Sequence, residues 1–422
     1  MSEPLALTAK AAKPAMVPLD EALARLLAAV QPLGLSEVLP TAEALGRVLC
    51  QDVVSLLDVP PADNSAMDGY AFCAADVQEP GTVLPVAQRV PAGVVGAAHQ
   101  PGTAARIFTG AQVPVGADTV LMQEQCEALP GEGLGAVRFL SVPERGNAIR
   151  RRGEDVECGA TVLSVGSRLD PAGLGLAASV GAAQLHVARR PRVALFSTGD
   201  ELVMPGEPLR PGAIYNSNRF TLRGLLQGLG CEVLDLGIVP DRLDATRAAL
   251  REAAARADLI ITSGGVSVGE EDHLRPAVQA EGQLELWQIA IKPGKPLAFG
   301  SVRRNGDSGS AWFIGLPGNP VASLVTFCLL VRPVILRLQG ATRLKPRAYA
   351  LRADFAWPKA DRRQEFLRAR LNEAGGLDLF ANQSSGVLSS AVWGDGLVDN
   401  PSGCSIAPGD TVRFLPFSEL LS

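Results

Sequence analysis

The chain is 422 residues long, 47% apolar and 20% charged, with a formal net charge of -5. That length holds about two to four domains, and the chain is too apolar to be disordered. The negative balance speaks against a nucleic-acid surface, without forbidding a local basic pocket.

Leu and Ala recur at helical spacing over 18–50, which predicts one helix near Leu19 and a second, short one opening at Thr41. The texture then changes: β-rich runs such as 82–86 and 119–122 alternate with Pro and Gly turns. A β-like run at 161–165 leads to Leu169-Asp170-Pro171, a helix start with Asp as cap and Pro in first place. Segments 10–52 and 145–186 are expected to form one mixed domain, interrupted by a β-rich domain at 53–144.

From 187 to 338 strands alternate with helices. The strands are expected at 192–197, 231–236, 258–262 and 312–315. The helices are expected at 219–229, with Asn218 as cap and Gly230 as stop, then at 245–256, 271–280 and 321–338. This alternation predicts a parallel sheet with helices on both faces. Residues 339–422 return to β texture and read as a barrel-like closing domain. The whole is a multidomain α/β protein.

Four Gly-rich turns punctuate the α/β region: Thr198-Gly199, the run Ser263-Gly264-Gly265 through Ser267 and Gly269, Lys292 to Lys295, and Pro317-Gly318 to Pro320. Glycine lets the backbone approach a ligand closely, and amides in such turns or opening the next helix hold oxyanions. Set at strand ends, the four would converge on one edge of the sheet. Asp200, Glu201, Glu270, Glu271 and Asp272 crowd two of them. That is more carboxylate than a bare phosphate cradle wants, and it suits a site that also holds a divalent cation. Asp241 and Asp272 are candidate cation ligands; each would also serve as an ordinary carboxylate at a helix start. Lys292 and Lys295 flank Pro-Gly, a turn that would set both ammoniums on one anion.

Other chemistries find no support. There is no GxxxxGK[ST] and no GxGxxG with a following acid, and no Ser-His-Asp triad is suggested. His99, His186 and His273 lack metal-ligand spacing, and seven cysteines without a CxxC make neither a disulfide framework nor a zinc ribbon. A reducing compartment fits the cysteines. The N-terminus lacks a signal-peptide pattern, and the apolar stretch 321–330 falls short of a membrane span and reads as a buried helix. A cytoplasmic protein touching neither membrane nor nucleic acid is expected. Two polar stretches stand out elsewhere: 60–71, with Asp63, Asn64, Ser65 and Asp68, and 147–155, where Arg150, Arg151 and Arg152 precede Glu154 and Asp155.

Taken together, PPADNSAMDGYA, IFTGAQVPVGADTVLMQE, NAIRRRGEDV, FSTGDEL, SGGVSVGEEDH, IKPGKPLAFG and GLPGNPVAS give the chain a resemblance to the molybdopterin molybdenumtransferase family, over nearly its whole length. These enzymes insert molybdenum from molybdate into adenylylated molybdopterin and release AMP with help from a divalent cation, usually Mg2+. The resemblance implies a four-domain subunit that dimerises, with each active site formed by the α/β domain of one copy and the β insertion of the other. It also implies contact with a molybdopterin adenylyltransferase. Asp63, Asp155, Glu201, Asp241 and Asp272 match the family's functional acids, with Glu201, Asp241 and Asp272 as the cation ligands. Lys292 and Lys295 match its anion-binding pair. Arg150, the turns at Thr198-Gly199 and 263–269, Pro317, Gly318, Pro320 and Ser384 match the substrate side. The chain departs from the family at Ala62, where Phe is usual, at Arg242, where a second acid is common, and at Ala391 to Gly394. The competing readings are a molybdopterin adenylyltransferase and a non-catalytic scaffold; tungstate in place of molybdate is a further variant.

Overall fold

The computed structural model describes residues 16–265, 273–304 and 309–421. Its centre is a six-stranded sheet of β1 (Arg192–Thr198), β2 (Glu232–Val239), β3 (Leu259–Ser263), β4 (Gly282–Gln288), β5 (Pro296–Arg303) and β6 (Ser310–Leu316). The order is β2-β1-β3-β6-β5-β4. The first four strands are parallel, as their alternation with helices requires. The expected parallel sheet carries an antiparallel far edge, where β5 pairs antiparallel with β6 on one side and with β4 on the other. The connection from β4 to β5 is too short for a crossover helix, so the chain turns back on itself.

Helices α1 (Ser217–Gly228), α2 (Leu243–Arg256), α3 (Leu274–Glu281) and α4 (Pro320–Leu338) cover the two faces. Strand residues alternate between them. Leu195, Ile261 and Ile314 enter one core with α1 and α4, while Ala194, Phe196, Ile260 and Phe313 enter the other with α2 and α3. β3 is buried at every position, the pattern of a strand covered on both sides. The apolar run at 321–330 extends through a π-helical stretch, Phe327–Val331, to Leu338. The helix reaches 19 residues with a mean hydropathy of 2.0, and 89% of its most apolar window is buried inside the protein.

The first helix, Leu19–Ala29, buries Ala22, Leu23 and Leu26 in the same core as α4. Only beyond it does the 10–52 segment pair with 145–186, through Ser36–Pro40 antiparallel to Gln184–Ala188. The helix expected at Thr41 is therefore a strand end and a single 3-10 turn, Thr41–Glu43. Pro40 disfavours helical backbone at Leu39, and Gly46 turns the chain away at φ +73. Asp170 does cap the next helix, Pro171–Ser179, accepting from the Gly173 amide at 2.7 Å.

Between these segments lies a six-stranded β unit whose core includes Tyr70, Phe72, Leu121 and Phe139. A two-residue ladder pairs Asn64 with Arg150 and so brings the 60–71 loop beside the arginine run. In the closing unit, strands Tyr349–Arg352, Thr411–Pro416, Gly396–Asn400, Gln364–Leu371 and Leu377–Leu379 pair in sequence. A bridge from Leu377 to Ala353 returns to the first of them, around a core with Leu367, Val398 and Phe414. Ile291–Lys292 of the central unit pairs with Gln364–Glu365, fastening the two units backbone to backbone.

Candidate active site

A cavity of about 800 Å3 opens at the carboxyl ends of β1, β3 and β6. Crevices outside such strand ends are where open α/β sheets hold their ligands. Three of the four Gly-rich turns meet there, through Thr198 and Gly199, Ser263 to Gly265, and Pro317 to Pro320. Gly264, at φ +94, lies so close to β1 that an added Cβ would stand 2.7 Å from the Thr198 carbonyl. Gly199 is similarly closed, because the Glu201 carboxylate folds back over it.

Asn218 ties two of these turns together. Its amide donates to Ser263 Oγ at 2.7 Å and to the Gly318 carbonyl at 2.8 Å. The cap of α1 is consequently Asn216, two residues earlier than expected, whose side chain accepts from the Arg219 amide at 3.1 Å. Asn216 Nδ2 and Asn218 Oδ1 are buried, line the same cavity, and have no partner among the described residues. Buried polar atoms left in this state are groups that a polar ligand satisfies. The N-terminal turns of α1 and α4, at Asn216 to Asn218 and at Asn319-Pro320, also face the cavity. Two helix starts and three glycine turns make an edge built for phosphate oxygens.

Of the predicted cation ligands, Glu201 and Asp241 line the cavity. Asp272 lies outside the described residues, with Ser267, Gly269, Glu270 and Glu271. Among the described residues no three His, Cys, Asp or Glu side chains gather as a metal cluster.

The lysine pair is arranged differently from the expected clamp. The turn reaches the same sheet edge, but from the amino end of the antiparallel β5, and Pro296 is its only contribution to the cavity. Pairing of Ile291–Lys292 with the closing unit carries Lys292 to Glu365, Nζ to Oε1 2.9 Å, and within 3.4 Å of Asp361. Glu365 is fully buried and also accepts from Trp357 Nε1 at 2.7 Å. The Lys292 charge therefore balances a buried carboxylate, while Lys295 is exposed. Hydrogen bonds from Arg363, helped by the Lys292 charge, hold Asp361 well below the usual carboxylate range.

Asp63, Arg150 and Asp155 do not line the cavity of their own chain. Asp63 accepts from Arg151 at 2.6 Å and from the Arg152 amide at 2.9 Å. The amide bond foremost, with the Arg151 guanidinium, holds its carboxyl below the ordinary value. Arg152 is bound to Asp58, whereas Arg150 and Asp155 are exposed. Ser384 is not in the cavity wall either; its neighbour Gly386 is, and the Ser385 carbonyl accepts from the Val321 amide at the start of α4. That loop rests on Arg368, a side chain buried to 1% exposure that sequence reading passed over. Arg368 donates to Ser390 Oγ and to the carbonyls of Phe366 and Ser384. Burial pushes its guanidinium down to about 10.

The fold and the cavity define a multidomain protein built around an α/β unit with a ligand crevice at the carboxyl edge of its sheet. Family models match along the chain: "MoeA N-terminal region (domain I and II)" at 17–181, "Probable molybdopterin binding domain" at 194–337, and "MoeA C-terminal region (domain IV)" at 350–417. A molybdopterin molybdenumtransferase of Haemophilus influenzae is 42% identical over 414 residues, covering 96% of this chain and all of that one. One from Nostoc sp. is 36% identical, covering 87% and 85%. A crystal structure of the molybdopterin biosynthesis MoeA protein of Pyrococcus horikoshii superimposes with a TM-score of 0.80 at 28% identity, covering 95% of this chain and 100% of that one. The chain belongs to the MoeA family of molybdopterin molybdenumtransferases.

Proposed function

We propose that the chain transfers molybdenum from molybdate to the dithiolene of adenylylated molybdopterin, yielding molybdenum cofactor and AMP. The carrying observation is the cavity at the sheet edge, with its three glycine turns, two helix starts and two carboxylates. The amides take the phosphate oxygens of the substrate. The unpartnered amide atoms of Asn216 and Asn218 meet its polar groups.

Mg2+ is proposed as the cation. It is commonly held by one or two carboxylates together with substrate phosphates, and Glu201 and Asp241 offer two on one wall, so the donor set fits. Such a cation neutralises charge on a phosphoanhydride. Asp272 is kept as a further ligand on the strength of its motif. Lys292 and Lys295 enter this reading differently: Lys292 sets the closing unit, and Lys295 is the exposed cation nearer the edge.

The chain is further proposed to be a cytoplasmic homodimer, passing substrate from a molybdopterin adenylyltransferase. Asp63, Arg150 and Asp155 support the dimer, because functional residues outside their own cavity need a second copy to use them. The test is to supply purified chain with adenylylated molybdopterin, molybdate and Mg2+, and to measure AMP. Release that requires molybdate and stops with chelator is expected. Release without molybdate, or consumption of free molybdopterin with ATP, would overturn the reading.

A further inference from the structure

A second cavity, of about 360 Å3, shares no lining residue with the first. It sits where three parts of the chain meet: Gly166 to Arg168, the second half of α4 with the following linker to Lys345, and Ser418-Glu419 in the last helical turn. The Thr342 amide donates to the Gly166 carbonyl at 3.1 Å and holds the seam.

Its wall is strongly cationic. Arg168, Arg332, Arg343 and Lys345 line it, and among the described residues Glu419 is the one carboxylate beside them. Arg332 is 7% exposed and donates to the Leu344 carbonyl at 3.2 Å. Arg168 donates to the carbonyls of Gly46 and Gly228, which are neutral partners. Glu419 is shared between Arg343, at 2.9 Å, and the Arg347 amide. Among the described residues Lys345 reaches only the exposed Asp20, at 3.6 Å. Burial lowers both Arg168 and Arg332 from the ordinary guanidinium value, and for Arg332 the charges of Arg168 and Arg343 add to it. A concave wall with this excess of one sign concentrates its field on a counter-ion. Guanidinium forks match tetrahedral oxyanions, and the volume is that of a small-ligand pocket rather than of a bare ion.

We propose that this cavity binds a phosphoryl dianion, as a small phosphate monoester or as free phosphate, through Arg168, Arg332, Arg343 and Lys345. Occupancy bridges the mixed domain, α4 and the linker to the closing unit, and so stiffens that linker. The inference is independent of the transfer reaction.

The test is calorimetric titration of the full chain with inorganic phosphate and, separately, with glycerol 3-phosphate, in wild type, Arg343→Gln, Lys345→Gln and Asn218→Ala. The Arg343 and Lys345 side chains are 52% and 71% exposed, so their replacement spares the fold. Saturable binding is expected, weakened about tenfold or more by Arg343→Gln and measurably by Lys345→Gln, and unchanged by Asn218→Ala, which alters the first cavity. Amide exchange across 341–345 slows on binding in wild type and not in Arg343→Gln. Tighter binding of glycerol 3-phosphate supports a monoester, and equal binding supports the free dianion. Absence of saturable binding in the millimolar range overturns the proposal. So does binding indifferent to both charge variants, or abolished by Asn218→Ala.

Discussion

The Asn218 amide spends both its hydrogens across the cavity, one on Ser263 Oγ and one on the Gly318 carbonyl. Alanine there leaves the buried Ser263 hydroxyl and the exposed Gly318 carbonyl without their donor, a loss of about 1–3 kcal/mol that comes mainly from the buried group. The turns it joins also carry the amides assigned to phosphate, so turnover should fall further than stability does. Urea unfolding and AMP release on Asn218→Ala check this together; an unchanged rate on a destabilised protein would leave Asn218 a purely structural brace. Asp at the same place is expected to be worse, because it sets a carboxylate oxygen against the Gly318 carbonyl. Gly264 allows less still. Its φ of +94 and the Thr198 carbonyl at 2.7 Å leave no room for a Cβ, so Gly264→Ala must displace one turn from the other.

At the next scale, Lys292 belongs to a strand pairing as much as to a turn. Removing its ammonium leaves Glu365 buried with Trp357 and Asn400 as its remaining donors among the described residues. Because Lys292 is 40% exposed, the loss should be moderate, about 1–3 kcal/mol rather than the larger figure for a fully buried pair. Lys295→Ala should stay within about 0.5 kcal/mol. Chemical denaturation of the two variants separates a latch from a clamp, since a shared anion site would make them alike. A second element pair responds to acid. Glu281, at the end of α3, accepts from Arg251 and Arg247 of α2, and these bonds lower its carboxyl from 4.5 to about 2. A depressed carboxyl adds stability above its unfolded value and loses it as pH falls through the folded one. The α2–α3 contribution should therefore fade between about pH 4.5 and pH 2. In Glu281→Gln the melting temperature should change less steeply across that window; an identical slope would remove Glu281 from the acid response. The parallel strands and their helices were legible because continuous apolar runs alternate with amphipathic ones. The antiparallel β4–β5 edge was not, since Gly282 to Gln288 lacks that signature. Nor was the lysine latch, which depends on Glu365, 73 residues away. Asn218 was visible as a helix-start residue; its work on Ser263 and Gly318 appears only once three loops are folded together.

At the scale of the whole molecule, the candidate site residues divide into two groups. Glu201, Asp241 and Asn218 line the sheet-edge cavity, while Asp63, Arg150 and Asp155 lie beside the β insertion and outside it. The proposed dimer is what would give the second group access to substrate. A twofold dimer that docks the insertion of one copy over the cavity of the other gives each copy half of two sites. Glu201→Ala spoils the cavity half and Asp155→Ala the insertion half. Each variant alone should be nearly inactive. Mixed and allowed to exchange, they form heterodimers in which one site carries both lesions and the other carries none. With half the dimers mixed and one of two sites intact in each, AMP release should recover to about a quarter of wild type. The same mixture of Glu201→Ala with Asp241→Ala, two lesions on one wall, should recover nothing. Equal silence in both mixtures would place Asp155 in the same chain's site. The Asp63–Arg151 bond would then be no more than a loop brace.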